Sequence, residues 1–258
     1  SGADGGLVVS HELDASVGYG AAALHLAHRS SFSPPGLADQ FFRAGVGVEP
    51  NPDLRAERVP SEVEAGISAS VEERRWSARA SLTAYRGDVR DMIVWSPDYR
   101  FVWSPRNVDV HRRGLDASLE WRGRLGPGSL EVSSSWSIAR VTGDAEGRRD
   151  LQLRYRPRHA ATVGASYRDG RHAAALEARY VGSRLPVPAE VNRLPGFWTL
   201  DLTASTGFGV GGWRIEPALR VDRLLDARDS MIFAFPEPGR TVSVELAVAR
   251  RPAPPSTR

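Results

Sequence analysis

Hydrophobic and polar residues alternate with a period of two along most of the chain. From Val63 to Val71 the odd positions hold valine, alanine and isoleucine, whereas the even positions hold glutamate, glycine and serine. This period predicts β-strands with one apolar and one polar face. No segment of useful length has the period of a helix. We predict eleven strands, near residues 6–13, 19–30, 61–71, 76–90, 106–122, 129–140, 159–168, 172–182, 197–206, 212–224 and 240–249.

The segments between these strands alternate strictly between short and long. The short turns cover residues 14–18, 72–75, 123–128, 169–171 and 207–211. The long connections cover residues 31–60, 91–105, 141–158, 183–196 and 225–239. Such alternation predicts an antiparallel up-and-down sheet with tight turns at one end and large loops at the other. Transmembrane β-barrels of the outer membrane have this sidedness, whereas a sandwich built from Greek-key connections does not require it.

Large aromatic residues mark both ends of the predicted strands. Trp76, Trp121, Tyr167 and Trp213 lie near the short turns, and Trp136, Tyr180 and Trp198 lie toward the long loops, all with the parity of the apolar residues. Two aromatic bands that flank alanine, leucine and valine are typical of a membrane barrel. The alternative is a soluble all-β ligand- or carbohydrate-binding module, whose large aromatic residues would pack in mid-strand between two sheets.

The amino-acid composition excludes several classes of site and partner. The 258 residues include no cysteine, which excludes disulfides and thiolate metal sites. The basic residues are all arginine and are interleaved with 31 acidic residues, at a net charge of +3. Because nucleic-acid binding requires clustered positive charge, we predict no nucleic-acid partner. The apolar runs are far shorter than the roughly 18 residues of a membrane helix, and the absence of a leader before Ser1 suggests a mature form or a fragment.

A series of motifs, in order along the chain, resembles the barrel of TonB-dependent outer-membrane receptors. The series is SFSPPGLADQFF (31–42), NPDLRAERVPSEVEAG (51–66), LTAYRGDVRDMIVW (82–95), NVDVHRRGLDASLEW (107–121), LRYRPRHAATVGASY (153–167) and RLLDARDSMIFAFPEPGRTVSVELAV (223–248). Each motif alone is weakly specific, and the ordered series carries the resemblance.

The resemblance implies a barrel of about 22 strands that encloses a plug domain. Residues 1–249 would then form the C-terminal half of the barrel, followed by a disordered proline- and arginine-rich tail at 250–258, with the plug domain absent from this chain. It also implies location in the outer membrane of a Gram-negative bacterium. The expected partners are outer-membrane lipid, the N-terminal plug and barrel half, and the TonB–ExbB–ExbD system. The expected function is energy-coupled uptake of an iron–siderophore, cobalamin or a similar chelate.

Catalytic and metal-binding signatures are not found in the sequence. The six histidines, at positions 11, 25, 28, 111, 159 and 172, are dispersed, and His25 and His28 would face opposite ways on a strand. Neither a nucleophile elbow nor a phosphate-binding loop is present. We therefore predict no enzyme activity, no catalytic residue, no metal site and no cofactor. Carboxylates of the polar parity, at Asp116, Glu120, Asp201 and Glu245, should pair with arginines or with the plug.

Ligand contacts are expected in the long loops at the outer mouth. Residues 92–105 should form one extracellular loop between two long strands, and aromatic rings with polar handles suit a bulky, anionic chelate. The alternative is that some of these rings belong to the aromatic band or pack within the loops. The candidate ligand-binding residues are Phe41, Phe42, Arg43, Trp95, Tyr99, Phe101 and Trp103.

Overall fold

A computed structural model describes residues 9–98, 100–145, 148–186, 192–226, 230–233 and 235–250. The strands are β1 (Glu12–Tyr19), β2 (Ala22–Ser33), β3 (Glu57–Glu72), β4 (Trp76–Pro97), β5 (Trp103–Leu125), β6 (Gly128–Ala145), β7 (Arg148–Gln152), β8 (His159–Arg168), β9 (His172–Val181), β10 (Phe197–Thr206), β11 (Phe208–Val210), β12 (Trp213–Asp222) and β13 (Thr241–Arg250). One short helix, α1 (Leu37–Phe41), lies between β2 and β3. No helix in this part of the chain has the length and apolar character needed to cross a membrane.

All thirteen strands belong to one antiparallel sheet in which neighbours in sequence are neighbours in space. β7 pairs with β6 beyond the end of β8, and β11 pairs with β12 beyond the end of β10. The thirteen strands therefore occupy eleven positions across the sheet, which confirms the predicted all-β meander. β1 and β13 are the two edges, and no pairing between them occurs within the described residues.

The first hairpin differs from the prediction. Residues 14–18 were expected to turn, yet they lie inside β1, and the turn is formed by Gly20 and Ala21. Gly20 adopts a φ of 58°, which glycine reaches without steric cost. The pattern was misread because Gly18 and Gly20 interrupt the alternation, although Leu13, Val17 and Tyr19 continue it.

The strands in the middle of the sheet are much longer than predicted. β4 and β5 contain 22 and 23 residues, and the expected loop at 91–105 is mostly strand; hydrogen bonds of Asp98 with Phe101 and Val102 close the turn between the two strands. β6 likewise continues to Ala145. Because about 9–11 residues suffice to cross a bilayer, roughly half of each strand extends beyond that length. Pairing with neighbouring strands extends these strands through a region whose prolines and charged residues indicated a loop.

The two faces of the sheet differ as the alternation predicts. The apolar face carries side chains that are exposed, among them Val63, Ile67, Leu82, Leu115, Ile138, Leu176, Leu219 and Val244. The polar face carries most of the charged side chains. The solvent-accessible surface is 18127 Å², whereas a compact protein of 28.1 kDa exposes about 11,000 Å². No second layer covers the apolar face in the described residues, so the sandwich architecture is wrong.

The aromatic residues occupy both ends of the apolar face. Toward the end of the sheet that carries the long connections, called the loop end, Trp136 pairs with Ala161, Ala161 with Tyr180, and Tyr180 with Trp198. The rings of Tyr180 and Trp198 lie 5.0 Å apart. These residues form one continuous row. At the opposite end, called the turn end, Trp76 and Trp213 begin β4 and β12 and are exposed.

Candidate functional site

Two long connections meet at the loop end of the sheet. The segment 34–56, between β2 and β3, folds against the upper part of the β4–β5 hairpin. Asn51 donates from its side chain to the carbonyl of Pro105 at 3.0 Å. Asn107 accepts from the N–H of Arg55 at 2.8 Å and donates to its carbonyl at 2.9 Å. This arrangement holds the candidate residues of the segment beside those of the hairpin.

Phe42 and Trp95 form the centre of this contact. Their ring centroids lie 5.6 Å apart at an interplanar angle of 35°, a separation typical of favourable aromatic pairs. The indole N–H of Trp95 also donates to Asp39 at 3.3 Å. Both rings are therefore engaged in packing the segment onto the hairpin, which was the alternative role considered from the sequence.

Trp103 joins the same cluster through its backbone. Its N–H donates to the carbonyl of Gly47 at 2.8 Å, and its carbonyl accepts from Glu49 at 2.9 Å. β5 is one strand from Trp103 to Leu125, and the extra residue of the register shift between β4 and β5 lies on β4. Trp103 therefore has the parity of Leu115 and belongs to the apolar face. Trp95, paired with Pro105 beyond a β-bulge in β4, lies on that face too. The side chains of Trp95 and Trp103 therefore both belong to the apolar face.

Phe101 lies at the tip of the hairpin and is 80% exposed. It has a φ of 62°, an uncommon conformation for a residue with a large side chain. The Asp98 carboxylate fixes the turn by accepting from the N–H groups of Val102 at 3.0 Å and Arg100 at 2.8 Å. The hydrogen bond from Val102, followed by those from Arg100, holds the pKa of Asp98 below its usual value.

The remaining candidates are distributed around this cluster. Phe41 is 65% exposed at the end of α1, and Arg43 is exposed two residues later. Tyr99 lies outside the described residues. Phe41, Arg43 and Phe101 are exposed, and the rings of Phe41 and Phe101 are the most exposed of the candidates. Trp95 and Trp103 pack the loop and nevertheless remain 37% and 38% exposed.

A cavity on the upper part of the sheet contains residues that sequence reasoning missed. It has a volume of about 170 Å³ and is lined by Val94, Ser96, Arg106, Val108, Leu151 and Leu153, among others. Arg106 and Val108 share the even-numbered parity of Arg112 on β5, which is the parity of the polar face. Both residues lie in the strand predicted over 106–122, but the sequence did not show that β4 continues opposite them, because residues 91–105 were assigned to a loop.

Two other connections at the loop end are joined through hydrogen bonds of Arg184. This side chain is 1% exposed, and its guanidinium donates to the carbonyls of Met231 at 3.2 Å, Pro195 at 3.3 Å, Gly182 and Ser230. It also stacks 5.1 Å from the Phe197 ring centroid. Burial lowers the pKa of Arg184. Arg184 therefore ties the connection before β10 to the connection after β12.

The polar face forms a charged wall. A trough of about 470 Å³ crosses β5 to β12 and contains Glu120, Glu131, Glu177 and Asp201 together with Arg122 and Arg220. Asp201, expected to pair with arginine, accepts from the backbone N–H of Arg223 at 2.8 Å. Glu120 lies opposite Arg79 in the register. These contacts fit a structural role for the carboxylates in the wall.

The histidines do not assemble a metal site in the described residues. His25 and His28 face opposite ways as predicted. β-pairing brings His28 to His11, however, at 3.1 Å between ring nitrogens, which the sequence did not reveal because the prediction misplaced β1. No three side chains of His, Cys, Asp or Glu in the described ranges are close enough to hold a metal ion.

Comparison with known proteins assigns the fold to a family. The family model for the β-barrel of TonB-dependent receptor-like proteins matches residues 15–224. No curated protein matches the chain in sequence.

Several solved structures are similar in fold to this chain. The copper transporter OprC has a TM-score of 0.67 at 18% identity, over 91% of this chain and 38% of that protein. The ferric-catecholate import receptor Fiu from Escherichia coli K12 has 0.64 at 18%, over 92% and 34%. The ferric citrate transporter FecA has 0.63 at 15%, over 93% and 37%. The chain thus spans little more than a third of each of these proteins.

Proposed function

Because the chain belongs to the TonB-dependent receptor-like β-barrel family, we propose that it forms part of the wall of an outer-membrane receptor for energy-coupled nutrient uptake. The observation that carries this proposal is the single sheet of eleven positions, with an exposed apolar face and a charged opposite face. In a large barrel these faces contact lipid and line the lumen, respectively. The loop end is then extracellular. A transport role, without catalysis, accounts for all of these features.

We further propose that the chain supplies one half of the barrel. Its eleven strand positions are half of the family's roughly 22, and β1 and β13 leave unpaired backbone edges in the described sheet. Unpaired edges are costly in a bilayer, so each should pair with a strand from elsewhere in a longer polypeptide. A plug domain and the TonB–ExbB–ExbD system complete the proposed transporter.

The proposed ligand is a metal chelate. The similar structures are named for transport of copper, ferric catecholate and ferric citrate, and an iron–siderophore complex is the class we favour. Cobalamin is the second candidate, and its support comes from the family resemblance alone. Aromatic rings and an arginine at an extracellular mouth fit a bulky, anionic ligand of the first class.

We propose that the accessible residues at the loop end make the first contact with this ligand. The full proposed set remains Phe41, Phe42, Arg43, Trp95, Tyr99, Phe101 and Trp103. Within it, Phe41 and Phe101 are the most exposed rings and Arg43 is exposed, whereas Phe42 and the 37% exposed Trp95 hold segment 34–56 on the hairpin. Arg106, beside the cavity on the polar face, is a further contact on the path inward.

Uptake by whole cells tests the function. Cells that carry or lack the complete receptor would be given radiolabelled iron as a ferric catecholate siderophore or as ferric citrate, with labelled cobalamin in parallel. We expect receptor-dependent accumulation of an iron chelate that stops when a protonophore removes the energy source. Receptor-dependent uptake that persists without that energy source would contradict energy-coupled transport.

The contact residues require a test that separates ligand binding from loop packing. We expect Phe41→Ala combined with Phe101→Ala to weaken binding of the transported chelate about tenfold, with an unchanged amount of receptor in the membrane. The matched control is Trp95→Ala, which should release segment 34–56 and increase its cleavage by added protease. If the double variant binds with wild-type affinity, these two rings are not ligand contacts.

A further inference from the structure

Three arginines lie side by side across the middle strands. Arg86 on β4 is the register partner of Arg113 on β5, and Arg113 is the partner of Arg140 on β6. Adjacent strands are about 4.8 Å apart, so the three side chains leave the sheet from neighbouring points. This arginine row is invisible in the sequence, where its members are far apart.

The arginine row belongs to the apolar face. Directly below it, toward the turn end, Ala84 pairs with Leu115 and Leu115 with Ile138. Below that row, Ala117 pairs with Trp136. Leu115, Ile138 and Trp136 are 44%, 51% and 52% exposed. The row is thus the first charged layer above an exposed apolar band.

The position of the row matches the headgroup region of a bilayer. Trp136 begins the aromatic row at the loop end, and such residues lie at the membrane–water interface in barrels. Arg140 lies four residues farther along β6, which is about 13 Å along the strand and less in height because barrel strands are tilted. The arginines therefore lie just outside the hydrocarbon, at the extracellular side.

The charge of the row is not neutralised by its neighbours. Arg86, Arg113 and Arg140 are exposed, and none forms an ion pair within the described part of the chain. Like charges directly opposite each other destabilise a sheet, so two successive arginine pairs favour an external anion.

The acidic residues of the same face are engaged elsewhere. Asp88, one row higher, pairs with His111 at 2.7 Å. Asp109 and Asp144 are opposite each other two rows above the arginines, and Asp109 accepts from the N–H of Asp91 at 3.0 Å. The arginine row therefore keeps its net positive charge toward the apolar band.

A shallow cavity of about 330 Å³ accompanies the row. Its lining contains Arg86, Arg113 and Arg140 together with Asp88, His111, Arg112 and Thr142. The volume accommodates a phosphate group with part of a sugar or glycerol. The guanidinium fork binds phosphate oxygens with two parallel hydrogen bonds, and three forks within one cavity can hold more than one phosphate.

We propose that the arginine row binds the phosphate groups of a lipid headgroup in the outer leaflet. The continuous apolar band below the row identifies the source as a lipid, because the acyl chains of the same molecule can lie on Leu115 and Ile138 while its phosphates meet the arginines. This inference rests on the outer-membrane location in the proposed function, and it is independent of which nutrient is transported.

The test measures lipid binding to the complete receptor in lipid nanodiscs and in detergent. The probes are the bis-phosphorylated glycolipid lipid A, the same glycolipid with its phosphates removed, and inorganic phosphate. The variant combines Arg86→Gln, Arg113→Gln and Arg140→Gln. The control combines Arg122→Gln, Arg179→Gln and Arg220→Gln, which removes the same charge from the polar face. Native mass spectrometry counts the bound lipid, and titration gives the affinity.

We expect the apolar-face variant to bind the phosphorylated glycolipid about a hundredfold more weakly, since each basic residue at an anionic surface contributes about fivefold. The polar-face control should bind it like the wild type, and removal of the phosphates should abolish the difference. Arg113→Gln alone, in the centre of the row, should lower the affinity about fivefold, which keeps the test decisive if the triple variant fails to insert.

Other results would overturn the inference. Equal lipid binding by the wild type and the inserted apolar-face variant would exclude the row as a headgroup site. Inorganic phosphate that binds as tightly as the glycolipid would indicate a site for a soluble anion. An equal loss in the polar-face control would indicate a nonspecific effect of net charge.

A failure of nutrient uptake with unchanged lipid binding would contradict the proposed transport function and leave the lipid-binding inference intact.

Discussion

Arg112 and Arg113 are consecutive residues of β5 with opposite environments. Arg112 points to the polar face and pairs with Glu62 across Gly87, whereas Arg113 lies on the apolar face between two other arginines. The same division extends across the sheet. Polar-face arginines that pair with carboxylates are Arg29, Arg112, Arg122, Arg179, Arg214 and Arg220.

The difference shows that the charges of the two faces are neutralised by different partners. The polar face neutralises its charges internally, which suits a wall around an aqueous or plugged lumen. It also uses glycine to make room for side chains, because the His25 ring lies directly over Gly66. In the described residues, the apolar face provides no ion pair for the arginine row and no second layer over its exposed side chains, which fits the bilayer of the proposed function as its partner.

The prediction with the largest expected effect places a charge in the middle of the apolar face. Leu246→Arg and Leu200→Arg in the complete receptor should each destabilise the inserted barrel by about 2–4 kcal/mol, the cost of arginine near the bilayer midplane. The measurement is the folded fraction in membranes, read from heat-modifiable migration on gels. The controls are Glu245→Ala and Asp201→Ala, the adjacent polar-face residues. Insertion lost in the controls but kept in the arginine variants would invert the assignment of faces.

The packing of the polar face can be broken at a single glycine. A Cβ at Gly66 would lie 2.0 Å from Cε1 of His25, so Gly66→Ala must displace the imidazole and its contact with Glu64 at 3.5 Å. We expect a loss of about 1–3 kcal/mol in the free energy of unfolding in detergent. Adding His25→Ala should restore most of it. A double variant no more stable than Gly66→Ala would show that the imidazole is not the obstacle.

The prediction with the smallest expected effect compares the two neighbouring arginines of β5. Arg112→Gln should lower the free energy of unfolding by about 1 kcal/mol or less, because the Glu62 pair is only partly buried and is screened by solvent. Arg113→Gln should leave stability in lipid-free detergent unchanged or slightly raised, since it removes a like-charge contact. Denaturant titration of both variants measures the difference. Equal losses would show that Arg113 also has an internal partner.

The local pattern of the sequence was sufficient to predict the class of structure and the composition of both faces. A period of two depends only on the geometry of each strand, so the parity of Val63, Leu82, Leu115 and Trp136 could be assigned without knowledge of any neighbour. Eleven strand positions, the ordered meander and the aromatic bands followed from the same signal. The candidate contact residues were chosen by residue type and predicted loop, and the sequence did not show that Phe42 packs against Trp95.

The register between strands was decided by the tertiary structure alone. The turn at Gly20 shifted β1 so that His11 meets His28, and the bulge after Val89 changed which face receives Trp95. Pairing also extended β4 and β5 through a region whose prolines and charges indicated a loop. Arg86, Arg113 and Arg140 became one row for the same reason. Sequence periodicity specifies which side of its own strand a residue occupies, whereas long-range hydrogen bonds and turn geometry specify which residue stands opposite it.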